Sequence, residues 1–350
     1  MKRRYRLLLA FLAVLGYLIF FPRELSSALT LTPQAIFDLD VSTAPQAVDG
    51  TIPFVASGYA GFLDPEGRPL YTEKVRYGAA VSAEALINYD SVSTQLVLRN
   101  REGDIRAVIE TRGYPFFLDD RLLVISTDRL RLGEFTPEGE QLWSIAFPSL
   151  VTTCVASGNR TLVGLLNGTF LFLDQNGSII FRFEPPEGRI KVAYGAAMDA
   201  SAEASVVVAG IDPQTAYLLE ELKGELNNID SFPLESELRR NISITDLHSG
   251  RFAIEQENGL LVLDRSNLRR RNFSLPGRLL AVAGHPGSNL LAVLSREEAD
   301  GYITLLGSES RYRGHLTLPG TGAGTSIVWS GNRLILIADR HVLVYRLESV

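Results

Sequence analysis

Phe170-Leu171-Phe172-Leu173-Asp174-Gln175-Asn176-Gly177-Ser178-Ile179-Ile180-Phe181 is an apolar run, a four-residue polar turn and a second apolar run. Aromatic and β-branched residues suit a pleated, half-buried surface. Aspartate at the first turn position bonds the backbone two residues on, and glycine at the fourth accepts a positive φ. The stretch therefore reads as a β-hairpin with a four-residue connection. The same turn stands at Asp64-Pro65-Glu66-Gly67, Asn100-Arg101-Glu102-Gly103 and Thr136-Pro137-Glu138-Gly139. Weaker copies stand at Glu221-Leu222-Lys223-Gly224, Asp264-Arg265-Ser266-Asn267 and Gly307-Ser308-Glu309-Ser310. The fourth positions are 36, 36, 38, 47, 43 and 43 residues apart, a period that marks a repeat architecture.

A second series of turns lies between these hairpins. It includes Asp119-Asp120-Arg121, Ser157-Gly158-Asn159-Arg160, Ser249-Gly250-Arg251, Pro286-Gly287-Ser288-Asn289 and Ser330-Gly331-Asn332-Arg333, each followed by an apolar run. One repeat is thus four short strands joined by tight turns, which is the blade of a β-propeller. The expected fold is all-β, a propeller of eight four-stranded blades, with seven as the alternative because the first blade is short. The last segment holds three strands and lacks a fourth. Ile36-Phe37-Asp38-Leu39-Asp40-Val41 stands alone ahead of the first blade and is expected to complete the last sheet, hiding the ring's edges.

Phe170 to Gly177 with its following strand resembles the quinoprotein-like (PQQ-like) propeller repeat. So does Glu134-Phe135-Thr136-Pro137-Glu138-Gly139-Glu140-Gln141-Leu142-Trp143, with its tryptophan after the turn. Val328-Trp329-Ser330-Gly331-Asn332-Arg333-Leu334 through Tyr345 resembles a WD40-type repeat. The resemblance covers roughly residues 36–347 and is to bacterial membrane-anchored propellers of this superfamily. Its motifs are structural, so it implies a fold rather than a reaction.

Met1-Lys2-Arg3-Arg4-Tyr5-Arg6 is basic, and the residues from Leu7 to Phe21 carry no charge. This is an export or insertion signal, with the basic flank held in the cytoplasm. The expected layout is a cytoplasmic flank (1–6), a transmembrane signal anchor (7–22), a linker (23–35) and a propeller (36–350) on the periplasmic side. Fifteen helical residues span about 22 Å against a hydrocarbon core of ~30 Å. A signal peptide cleaved after Ser26-Ser27-Ala28 is the competing reading, which would leave the chain free in the periplasm or secreted.

The net charge of −6 gives no field for nucleic acid, and Arg269-Arg270-Arg271 reads as a solvated strand end. Cys154 is the only cysteine and reads as a buried, inert thiol. Five Asn-X-Ser/Thr sites, at Asn159, Asn167, Asn176, Asn241 and Asn272, read as turn chemistry. His248, His285, His315 and His341 have no metal-ligand spacing and read as turn and strand residues. Gly320-Thr321-Gly322-Ala323-Gly324 precedes a strand, not a helix N-terminus, and reads as a connecting loop. No nucleophile elbow, metalloprotease helix or phosphate loop occurs, so no catalytic residue, metal or cofactor is assigned.

Insertions in repeat proteins map to exposed loops. The 47-residue step therefore makes Glu220, Glu221, Lys223, Glu235, Glu237, Arg239 and Arg240 the candidate interaction residues. The expected function is a non-catalytic, membrane-tethered scaffold for other cell-envelope proteins. The alternative is an envelope enzyme or a sugar- or quinone-binding propeller using its central funnel.

Overall fold

The computed structural model describes residues 29–41, 50–118, 120–186, 188–235, 238–247, 250–307, 312–318 and 326–349. Every regular element among them is a β-strand, and the strands form eight antiparallel sheets. Blade 2 runs through Gly78–Val81, Ala85–Tyr89, Leu96–Asn100 and Ile105–Ile109. Blades 3 to 7 repeat the pattern and begin at Tyr114–Leu118, Val151–Ser157, Ile190–Met198, Ile244–Asp246 and Arg278–Gly284. The eight-bladed reading holds. Blade 1 shows three strands, Ile52–Ala56, Tyr59–Leu63 and Pro69–Lys74, and the stretch ahead of them, 42–49, lies outside the described residues.

Blade 8 joins the two ends of the chain. Ser326–Ser330, Arg333–Ala338 and His341–Ser349 form its first three strands, and Leu29–Asp38 is the fourth. The closing strand was expected at Ile36–Val41; it begins seven residues earlier, inside the stretch read as linker. The alternation Leu29-Thr30-Leu31-Thr32 carries it. Leu29 and Leu31 pack on the blade 7/8 core, and beyond a bulge between Pro33 and Ala35 the side chains of Ala35 and Phe37 pack toward blade 1. Asp38 caps the end by accepting from the Asp40 N–H at 2.9 Å.

The core is eight separate seams, one for each pair of neighbouring blades. Between blades 4 and 5, for example, Leu162, Phe170 and Phe172 meet Ala193, Val207 and Tyr217. Blade strands are therefore apolar on both faces, because each sheet is covered on both sides.

The repeated turn forms as expected. Asp174 Oδ1 accepts from the N–H groups of Asn176 and Ser178, both at 2.8 Å, and Gly177 N–H returns to the Asp174 carbonyl at 3.1 Å. Asp64, Asn100 and Thr136 do the same in their turns. Two weaker copies differ. At blade 5 the turn shrinks to Lys223-Gly224, both at positive φ, and Leu222 pairs with Glu225. At blade 6 the left-handed residue is Leu268, one position beyond Asn267. The copy in blade 7 includes residues 308–310, outside the described residues.

The glycines do more than accept a positive φ. A Cβ on Gly177 would lie 2.6 Å from the Trp143 ring of blade 3, and one on Gly67 would lie 2.7 Å from Val344 of blade 8. Gly103 meets Tyr71 of blade 1 in the same way. Each turn thus seats on the outer half of the preceding blade. Gly224 has nothing nearby. Gly177→Ala is expected to cost about 3 kcal/mol, from left-handed strain and overpacking together, and Gly224→Ala about 1 kcal/mol from strain alone. Chemical denaturation of both variants checks this; equal losses would remove the packing role.

Candidate functional site

Strand direction sorts the candidate residues. In an up-and-down blade the turns joining strands 1–2 and 3–4 share one face of the ring. The 2–3 turns and the links between blades share the other. Glu220, Glu221 and Lys223 fall on the first face, and Glu235, Arg239 and Arg240 on the second, so the insertion residues form no single surface. Glu237 lies outside the described residues.

The extra length of blade 5 also goes largely into strands rather than loops. Its strands are 9, 8, 8 and 9 residues long, and Glu220 and Glu221 stand within Thr215–Leu222. Arg265 of blade 6 binds Glu220 at 2.5 Å and Asp199 at 2.9 Å. Arg160 of blade 4 pairs with Glu221. These carboxylates tie blades together and are not a free loop. Similar ties recur on the same face, such as Arg333 to Glu66 at 3.3 Å across the closing seam.

On the other face, the link from blade 5 to blade 6 is fastened down. Leu234 and Ile242 are buried, and the Gln214 side chain holds both the N–H and C=O of Leu238. Arg240 forks onto Glu255, at 2.5 and 3.0 Å, and Glu255 also accepts from the Ser243 N–H at 3.1 Å. Glu255 is 2% exposed, so its carboxylate is part of the interior, and the half-buried Arg240 covers it from the surface. The carboxylate beside it holds the Arg240 guanidinium above its ordinary pKa. Glu235, Arg239 and Lys223 are the described candidates that stay exposed.

The inner strands that face the funnel are mostly small or apolar. Among the described residues their charged members are Lys191, Asp246 and Arg278, and Asp246 sits at the opposite end of its strand from the other two. Among the described residues no group of three His, Cys, Asp or Glu side chains could hold a metal. His285 is a turn residue: its Nδ1 accepts from the Gly287 N–H at 3.1 Å, and its ring meets Trp329 edge-on at 4.9 Å. His248 and the glycine-rich stretch 320–324 lie outside the described residues.

Cys154, on the first strand of blade 4, is half-buried and packs against the seam between blades 3 and 4. That burial pushes the thiol up to about 12. The thiol therefore stays protonated and unreactive near neutral pH. Aromatic disulfide reagents at pH 8 are expected to label it only after denaturant is added; rapid labelling of the folded chain would overturn this.

A surface that the sequence reading missed lies on the rim. Ile105 (60% exposed), Leu142 (58%), Ile179 (51%) and Ile229 (38%) project from the outermost strands of blades 2, 3, 4 and 5. Each follows a repeated turn, where apolar residues read as core. Their exposure depends on having no further blade strand outside them.

Eight sheets closed by a strand from the far end of the chain define an eight-bladed β-propeller. The chain belongs to the family described as beta-propeller protein, whose model matches residues 1–312. No curated protein matches it. Among solved structures it is similar to BamB from Moraxella catarrhalis, at 14% identity and TM-score 0.64, covering 91% of this chain and 100% of that one. It is similar to dihydro-heme d1 dehydrogenase NirN in complex with DHE, at 13% identity and TM-score 0.65, covering 92% and 79%. A chain of the mitotic checkpoint complex is similar at 10% identity and TM-score 0.58, covering 93% and 94%. At these identities the likeness is one of fold.

Proposed function

We propose that this chain is a non-catalytic, membrane-tethered scaffold that holds other cell-envelope proteins on the periplasmic side. The observation that carries the reading is the rim. Four consecutive blades expose a large apolar side chain on their outer strands, and a partner lying along the rim would cover them together. The basic flank 1–6 and apolar segment 7–22 support the tether, although they lie outside the described residues. Among the described residues no helix is long and apolar enough to cross a membrane. That propellers of this fold occur in assemblies such as the mitotic checkpoint complex fits the same use.

Affinity capture from solubilised membranes tests the scaffold. Wild type is expected to retain specific partners, and the triple variant I105E/L142E/I179E to lose them with its melting temperature unchanged. No specific partner, or one held equally by the variant, would sink the rim reading. N-terminal sequencing of the mature chain tests the tether separately, since a chain starting at Leu29 would have no anchor.

A further inference from the structure

Two cups flank the free edge of blade 6. Its outermost strand, Arg269–Ser274, is last in the sheet. Even-numbered residues of this strand face blade 5, as the Arg270 pair with Asp230 at 2.5 Å shows. Odd-numbered residues face blade 7, where Phe273 packs against the core of Leu260, Leu291 and Leu306. On the blade 5 side, a cup of about 280 Å³ is lined by Glu235, Gln256, Glu257, Asn258, Asn272 and Ser274. Its charged side chains are two carboxylates, and no lysine or arginine lines it. On the blade 7 side, a second cup of about 280 Å³ is lined by Phe273, Leu275, Pro276, Tyr302, Leu306 and His315. One cup is complementary to a cation and the other to an apolar side chain.

The backbone between the cups is open to pairing. Leu275 N–H donates to the Asn258 carbonyl at 2.9 Å, toward the sheet interior. Antiparallel alternation then turns the N–H and C=O of Asn272 and Ser274 outward. Edge strands are normally guarded by charge or proline. Here Arg269, Arg270 and Arg271 guard one end and Pro276 stops the other, leaving Asn272–Ser274 uncharged between them. A strand added at this edge sends successive side chains to opposite faces of the sheet. Those are the directions of the two cups.

We propose that the edge at Asn272–Ser274 receives an extended segment of a partner protein by strand addition. A lysine or arginine of that segment enters the cup at Glu235 and Glu257, and the adjacent apolar side chain enters the cup at Phe273 and Tyr302. The nature of the ligand rests on the scaffold reading above; the site itself is distinct from the apolar rim of blades 2 to 5.

The probe is a fluorescent octapeptide of alternating lysine and valine, titrated against the full chain in detergent and read by anisotropy. Saturable binding is expected, with no binding of the alternating glutamate–valine peptide. E235Q/E257Q is expected to weaken binding about tenfold, because the acid cup supplies the charge selectivity. S274P removes one outward N–H at an exposed edge position and is expected to abolish binding with the melting curve unchanged. Equal binding of both peptides, or unchanged binding by E235Q/E257Q, overturns the proposal whether or not S274P folds. Membrane partners recovered equally by wild type and folded S274P overturn the edge assignment and leave the scaffold reading standing. Peptide binding with no membrane partner recovered by either supports the edge and sinks the scaffold reading.

Discussion

Leu31→Glu with Phe37→Glu is expected to abolish the cooperative thermal transition of the propeller. Both side chains belong to the strand that closes blade 8, and both pack into a seam, Leu31 toward blade 7 and Phe37 toward blade 1. Losing two partly buried apolar side chains costs about 3 kcal/mol. Placing carboxylates against those seams adds about 1–3 kcal/mol more. Total stability of a domain is only about 5–15 kcal/mol. Detachment would also bare the edge of His341–Ser349, nine residues long, as a template for aggregation. Circular dichroism on heating and size-exclusion chromatography read both effects. Ile36→Glu is the control: this residue lies between the two but is 67% exposed, so a change within about 0.5 kcal/mol is expected. A double variant that melts like wild type would show that the ring holds without its closing strand.

Arg240→Ala is expected to destabilise the chain by about 3 kcal/mol, because it leaves Glu255 buried and unpaired. R240A/E255Q should recover most of that loss. The neutral amide still accepts from the Ser243 N–H and leaves no buried charge. Urea denaturation of the three proteins checks the ordering. If R240A is neutral and instead reduces partner capture, Arg240 is an interaction residue after all. The same experiment on Arg239→Ala, an exposed neighbour, is expected to leave stability unchanged.

The blades were legible because their signals are local. Asp174 and Gly177 sit three residues apart and act on their own turn, so their pattern survives in sequence. The closing strand was legible as an orphan apolar segment, and its start was misplaced by seven residues. Leu29 and Leu31 declare themselves only through the partners they meet, which are more than 300 residues away at Ser349 and Leu347. The candidate interaction residues rested on the weakest local signal. An irregular spacing at blade 5 looked like a loop insertion, yet longer strands absorbed most of it, and Glu220, Glu221 and Arg240 became ties between neighbouring structural units.

By itself the sequence determined the repeat and the strands, since turn chemistry and apolar patterning are properties of a few adjacent residues; the choice of eight blades over seven came from the sheets. Only the tertiary structure decided which apolar residues are core and which are rim. Ile179 and Phe170 look alike in the chain, but Phe170 stands on the third strand of its blade and packs into the seam with blade 5, and Ile179 stands on the outermost strand. It also decided why the turn glycines recur. Gly177 is needed for its φ and because Trp143 of the preceding blade occupies the space a side chain would fill, a contact set by how two blades stack.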